Sequence, residues 1–206
     1  MDETPLLRLD ELACGYPGRT IISGLSRTFN AGIHGLMGAN GSGKSTLLKT
    51  LAGILPPLWG RIAIAGHDLV SEPLAAKRTL AYVPVEPAGY PFMTGQDLLR
   101  LVATTKRAEL THLDEVCARY QLAQVLPLAF SAMSSGMRRK VFLVAACIGS
   151  PTVILLDEPS DTLDAHAREE LIGMLGEVRA RAVVLVASHD AELLKRLDAN
   201  VLSMPL

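Results

Sequence analysis

The chain has no hydrophobic run long enough to cross a bilayer. Hydrophobic residues make up 49% of its 206 positions, yet the longest clean apolar stretch, Val141 to Ile148, is under half of the roughly 20 residues a spanning helix needs. A soluble chain is expected. Also missing is a basic segment followed by an apolar one at Met1 to Asp10, the pattern of a secretory leader. Cysteine is scarce, and Cys14, Cys117 and Cys147 are odd in number and widely spaced. That spacing argues against a disulfide framework and predicts free thiols in a reducing cytoplasm. The net charge is -1, and the tight basic cluster is Arg138, Arg139 and Lys140. Without a broader basic footprint, nucleic acid is not expected as a partner, and the cluster itself reads as the solvated face of a helix. No internal repeat and no low-complexity linker divides the chain, so its length predicts one domain.

What is present is an α/β order. The N-terminal third alternates short apolar segments with turn residues, in LLRLDELACGYPG, GLSRTFNAG and IHGLM, and again in GRIAIAG. These predict strands and a small N-terminal antiparallel β region. From Ser45 to Gly53 apolar residues recur at helical spacing, and Gly53 with Pro56 and Pro57 ends the helix. Between about Met93 and Gln124 the period is again helical and the charge density higher, which predicts an inserted helical lobe. VILLD and AVVLVAS are short continuous apolar runs, of the kind buried on both faces of a parallel sheet. AHAREELIGMLGEV between them reads as a helix.

Gly38-Ala39-Asn40-Gly41-Ser42-Gly43-Lys44-Ser45-Thr46 follows an apolar strand and opens a helix, the setting in which a G-x-x-x-x-G-K-[ST] run means a phosphate-binding loop. Its glycines let the backbone curl so that several N–H groups face one anion, and the helix N-terminus adds partial positive charge. Lys44 would neutralise β- and γ-phosphate oxygens, and the Ser45 hydroxyl would ligate Mg²⁺. Far downstream, Val153 to Pro159 reads as a buried strand ending in two acids. In an open parallel sheet that end is where ligands bind. Asp157 would hold Mg²⁺ or its water, and Glu158 would polarise an attacking water.

A loop and an acidic strand end describe many nucleotide hydrolases. The chain also carries Met133-Ser134-Ser135-Gly136-Met137-Arg138-Arg139-Lys140 shortly before the acids, which resembles the LSGGQ signature of ATP-binding cassette (ABC) proteins. Tyr16, the run Ser160-Asp161-Thr162-Leu163-Asp164, and Ser188-His189-Asp190 match that family's order over nearly the whole chain. The compact length and the SSGM form are similar to short exporter-type ATPase subunits.

The resemblance implies a P-loop ATPase core of about 1–85 and 141–206 around a helical lobe of about 86–140. It implies ATP and Mg²⁺ as ligands, with Tyr16 stacking on adenine and His189 sensing the γ-phosphate. Ser134, Ser135 and Gly136 would be presented to ATP held by a second ATP-binding subunit, read here as a homodimer partner. A helix N-cap would account for Ser134 or Ser135 equally well. Asp164 would join the subunit contact, or simply form an acidic turn before a helix. A separate membrane-spanning subunit would anchor the chain to the inner face of the membrane and carry the substrate, in the direction of export. Pro87, Tyr90, Phe92 and Met93 would receive that partner, unless Tyr90 and Phe92 pack inside the lobe.

Two positions depart from the family pattern. The family usually has glutamine where Val85 and Met137 stand. Valine has no oxygen for a metal or water, which predicts a weaker or rerouted link between partner and site. Two other readings therefore stay open: an ATP-gated clamp with little turnover, and a non-transport ABC ATPase.

Overall fold

The computed structural model describes residues 5–39, 41–110 and 113–203. Strands β1 (Leu7–Tyr16) and β2 (Arg19–Phe29) form a hairpin, followed by β3 (Gly32–Met37) and helix α1 (Lys44–Leu51). Then come β4 (Trp59–Ile64), β5 (His67–Asp68), α2 (Pro73–Arg78) and β6 (Leu80–Val83). Helices α3 (Gly95–Lys106), α4 (Leu113–Arg119) and α5 (Ser135–Ala146) precede β7 (Val153–Asp157). The chain continues through α6 (Ala165–Val178), β8 (Val183–Ala187), α7 (Ala191–Arg196) and β9 (Asn200–Ser203).

Two sheets result. The antiparallel one has the order β2-β1-β4-β5, and the other, whose strand pairs are all parallel, runs β6-β7-β8-β3-β9. This is the predicted mixture of a parallel core sheet, an N-terminal antiparallel region and helices. Every residue of β7 and of β8 is buried, as continuous runs of Val, Leu and Ile between two covered faces require.

Strand alternation divides these residues between two cores. Val153, Leu155, Val183 and Leu185 pack with Leu47, Leu48 and Leu51 of α1 and with Leu7 and Leu9 of β1. Ile154, Leu156, Val184 and Val186 face the other way, onto Val141, Leu143 and Val144 of α5 and Leu171 and Leu175 of α6. Helix α1 is thus the layer between the two sheets, and each of its three buried leucines contributes about 2 kcal/mol of burial. This pins the turn that precedes α1 to the C-terminal ends of β3, β7 and β8.

The lobe segment begins after β6. Helix α3 starts with a capping box, in which the Thr94 side chain accepts from the Asp97 N–H and the Asp97 carboxylate accepts from the Thr94 N–H. Helix α5 leaves the lobe and ends against β6 and the core, with Val141, Leu143 and Val144 fully buried.

Candidate functional site

The loop from β3 to α1 closes on a lysine that is already engaged. Lys44 is 6% exposed, and its Nζ donates to the carbonyls of Gly38 at 2.7 Å and Ala39 at 3.2 Å. Gly43, at φ 95°, begins α1. A Cβ there would sit 2.6 Å from Cγ2 of Ile21, so both the left-handed turn and the close approach of β2 demand glycine. Asn40 lies outside the described residues.

Ser45 and Asp157 are 112 positions apart in sequence, yet Ser45 Oγ donates to Asp157 Oδ1 at 3.1 Å. Asp157 is 1% exposed, and its other oxygen, Oδ2, is buried without a partner among the described residues. Burial pushes this carboxyl above its ordinary range, an effect opposed by the Ser45 hydrogen bond and the nearby lysines Lys49 and Lys44. Ser42 Oγ is likewise buried without a partner among the described residues. A hydroxyl and a buried carboxylate with a spare oxygen are hard donors suited to Mg²⁺, and the loop's N–H groups and Lys44 suit phosphate. The residues present therefore fit both ligands.

Glu158 follows Asp157 with φ 46°, an uncommon conformation for a side-chain-bearing residue and one that concentrates at working sites. The turn lets its N–H donate to the Ala187 carbonyl at 2.8 Å and sends its carboxylate to β8's exit. Glu158 Oε2 lies 3.0 Å from His189 Nδ1 and accepts from the His189 backbone N–H at 3.3 Å. The imidazole is held above its ordinary range, first by this hydrogen bond and then by the charge of Glu158.

A cavity of about 560 Å³ is lined by Tyr16, Arg19, Lys44, Ser45, Glu158 and His189. Gly41, Gly43 and Thr46 also line it. Tyr16 is 43% exposed, so its ring is available for stacking.

Ser134, Ser135 and Gly136 are not brought to this cavity. Ser134 caps α5, its side chain accepting from the Met137 N–H at 3.2 Å, and it is exposed, as is Ser135. A Cβ on Gly136 would lie 2.8 Å from the carbonyl oxygen of Thr162, so only glycine lets α5 approach the turn after Glu158 this closely. Asp164 caps α6 through the Ala167 N–H at 2.8 Å and accepts from Lys140 Nζ at 2.7 Å.

The sequence expectation for the basic run is corrected at its centre. Arg139 is not solvated; it is 2% exposed. The missed signal was helical spacing, since Arg139 lies on the same stripe as buried Leu143 and Ala146. Sequence reasoning also missed Arg19 and Asp161, which line the cavity. The Pro17-Gly18 turn offered a clue to the first, because the hairpin pairs Tyr16 with Arg19.

A mixed α/β fold with a phosphate loop, a buried acid pair at the neighbouring strand end and a histidine one strand further on defines a P-loop ATPase of the cassette type. The chain belongs to the ABC transporter family, whose model, described as ABC transporter, matches residues 22–161. An uncharacterised ABC transporter ATP-binding protein of Methanocaldococcus jannaschii is 32% identical over 210 residues, covering 93% of this chain and 70% of that protein. The daunorubicin resistance ATP-binding protein DrrA3 of Streptomyces coeruleorubidus is 33% identical over 161 residues, 76% of this chain and 51% of that protein. A solved ATP-binding subunit of an ABC transporter shares the fold with a TM-score of 0.87 at 28% identity, over 97% of this chain and 85% of that one. The chain spans 18%, 25% and 66% of the length of three of the curated relatives it matches.

Proposed function

We propose that this chain is the ATP-hydrolysing subunit of a transporter, working as a homodimer in which the signature turn of each copy covers the ATP held by the other. In this reading the chain forms a single ATPase unit, with a core of about 1–85 and 141–206 and a lobe of about 86–140. The observation that carries the reading is the separation within one chain of two phosphate-directed elements. The P-loop side holds Lys44, Ser45 and Glu158 around an open cavity, with Asp157 behind Ser45, while the N-terminus of α5 presents exposed Ser134 and Ser135 elsewhere. A second copy supplies what the first lacks.

Each residue then has a task. The loop N–H groups and Lys44 bind the phosphates, Tyr16 stacks on adenine, and Ser45 with Asp157 holds Mg²⁺, which neutralises phosphate charge. Glu158 orients and polarises the attacking water. His189, fixed by Glu158, reaches the γ-phosphate.

No helix among the described residues is long and apolar enough to cross a membrane. In the proposed reading the translocation path belongs to a separate membrane-spanning chain, with this subunit peripheral on the cytoplasmic face, and the resistance-named relative supports export. Tyr90 and Phe92 are 66% and 79% exposed and stack with ring centroids 5.7 Å apart, whereas Pro87 is buried and Met93 half-buried. An exposed aromatic pair of this kind suits an apolar partner surface. Cysteine placed at position 90 or 92 is expected to crosslink to a membrane protein in native membranes. Absence of such an adduct from both positions would sink the assignment of this surface.

A second reading, a clamp that binds ATP but turns over slowly, is favoured by Val85. Its side chain is 36% exposed and forms part of the cavity wall, where it offers no oxygen. Val85→Gln is expected to raise turnover severalfold with little change in ATP affinity, because a contact made mainly in the transition state raises kcat. The exposure of the site predicts an unchanged melting temperature. A variant that melts like the parent and hydrolyses no faster would show that Val85 does not limit the rate.

A further inference from the structure

Although the Val85 side chain offers nothing to a metal or water, its backbone is firmly held. The Arg139 guanidinium, on the second turn of α5, donates from Nη1 to the carbonyls of Pro84 at 2.8 Å and Asp157 at 3.3 Å. Its Nη2 donates to the carbonyl of Val85. One side chain thereby ties the helix that begins with the signature to the exit of β6 and to the end of β7. The planar fork of arginine suits this, since it presents several donors in fixed directions.

The arrangement is costly if packing were its sole purpose. Burial works against the guanidinium charge, while Asp161, Asp157 and Glu158 favour it. Nε is buried without a partner among the described residues. Apolar side chains of similar volume commonly replace buried charged groups with neutral or better stability, so the position needs a reason besides filling space. The three accepting carbonyls supply one. They belong to the two strand ends that face the nucleotide, and Asp157 is immediately followed by Glu158.

We propose that Arg139 is a positioning residue for hydrolysis, making through the backbone the connection between lobe and metal-binding strand end that Val85 cannot make through its side chain. Movement of α5 with the lobe draws Pro84, Val85 and Asp157 together and so sets the carboxylate of Glu158. The inference rests on the ATPase reading of the site given above.

The test uses the full chain and counts ATP-binding sites by nucleotide titration, so that loss of folded protein is not read as loss of rate. ATP binding and parental turnover test the ATPase reading; a parent that binds ATP without hydrolysing it overturns both that reading and this proposal. With turnover present, Arg139→Met is expected to lower kcat per site by about tenfold or more and to leave KM for ATP within about threefold. Arg139→Gln, whose amide keeps two N–H donors for the carbonyls, is expected to recover part of that loss. When each is combined with Val85→Gln, which restores a side-chain link, the loss is expected to shrink to about threefold or less, the non-additivity of two routes serving one connection. Equal fold-losses in both backgrounds would identify Arg139 as structural support alone, and a kcat within about twofold of the parent would leave it no role in hydrolysis. If Arg139→Met fails to fold, the same comparison with Arg139→Gln decides.

Discussion

Glu158→Gln is expected to lower ATP turnover by about 100-fold or more while ATP affinity stays within about threefold, the loss that follows when a positioned general base is removed. The exchange is nearly isosteric at a residue that is 9% exposed. The amide oxygen can still accept from the His189 side, where Glu158 Oε2 now lies 3.0 Å from Nδ1. What is lost is the negative charge that draws a proton from water. Two further readouts separate this from general damage. With hydrolysis stalled, the two-copy assembly is expected to accumulate, so sizing in saturating ATP should show a dimer and sizing without ATP a smaller species. Glu158 also raises the His189 pKa, and NMR titration should therefore find the imidazole titrating lower in the variant than in the parent. Unchanged turnover would remove Glu158 from the chemistry. A monomer under saturating ATP would count against the shared site.

Lys44→Ala is expected to weaken equilibrium ATP binding by about 100-fold, equivalent to about 2.8 kcal/mol. Lys44 is 6% exposed and its ammonium is already aimed along the loop by the carbonyls of Gly38 and Ala39, so it meets phosphate without first being ordered. Alanine removes both the counter-charge and that internal brace. Melting temperature should be measured beside affinity to distinguish the two losses. A decrease in affinity of less than about threefold, which is about 0.7 kcal/mol, would contradict the assignment of Lys44 to the phosphates.

The parts of this site that were legible in the sequence are those in which one local pattern carries the chemistry. The glycine-lysine-serine run had to stand between a strand and a helix, and β3 and α1 supply that setting. VILLD and AVVLVAS announced buried parallel strands. Because β7 and β8 are hydrogen-bonded neighbours, the residues after them, Glu158 and His189, emerge together. Arg139 was hidden for the opposite reason. A basic triplet ordinarily faces water, and its burial depends on carbonyls contributed by residues 84, 85 and 157, which no local pattern brings near. Tyr90 and Phe92 read equally well as lobe core or as surface until Phe130, packed beneath Gly89, was seen to fill the interior instead. The short strand β9 escaped notice because Asn200–Ser203 has no continuous apolar run and owes its place to pairing with β3.

The close seat of Gly136 against the Thr162 carbonyl bears on timing in such a dimer. Thr162 belongs to the turn that follows a chain's own Glu158, whereas Gly136 belongs to the element that the proposed homodimer offers to the opposite ATP. With less than a methyl group's clearance between them, neither can move toward the other without displacing it. In the proposed homodimer, a rearrangement that pushes the Thr162 turn toward α5 after cleavage at one site would press, by contact alone, on the cover of the second. In the proposed homodimer the two nucleotides would then not be independent clocks, since cleavage of the first would bear on the cover of the other.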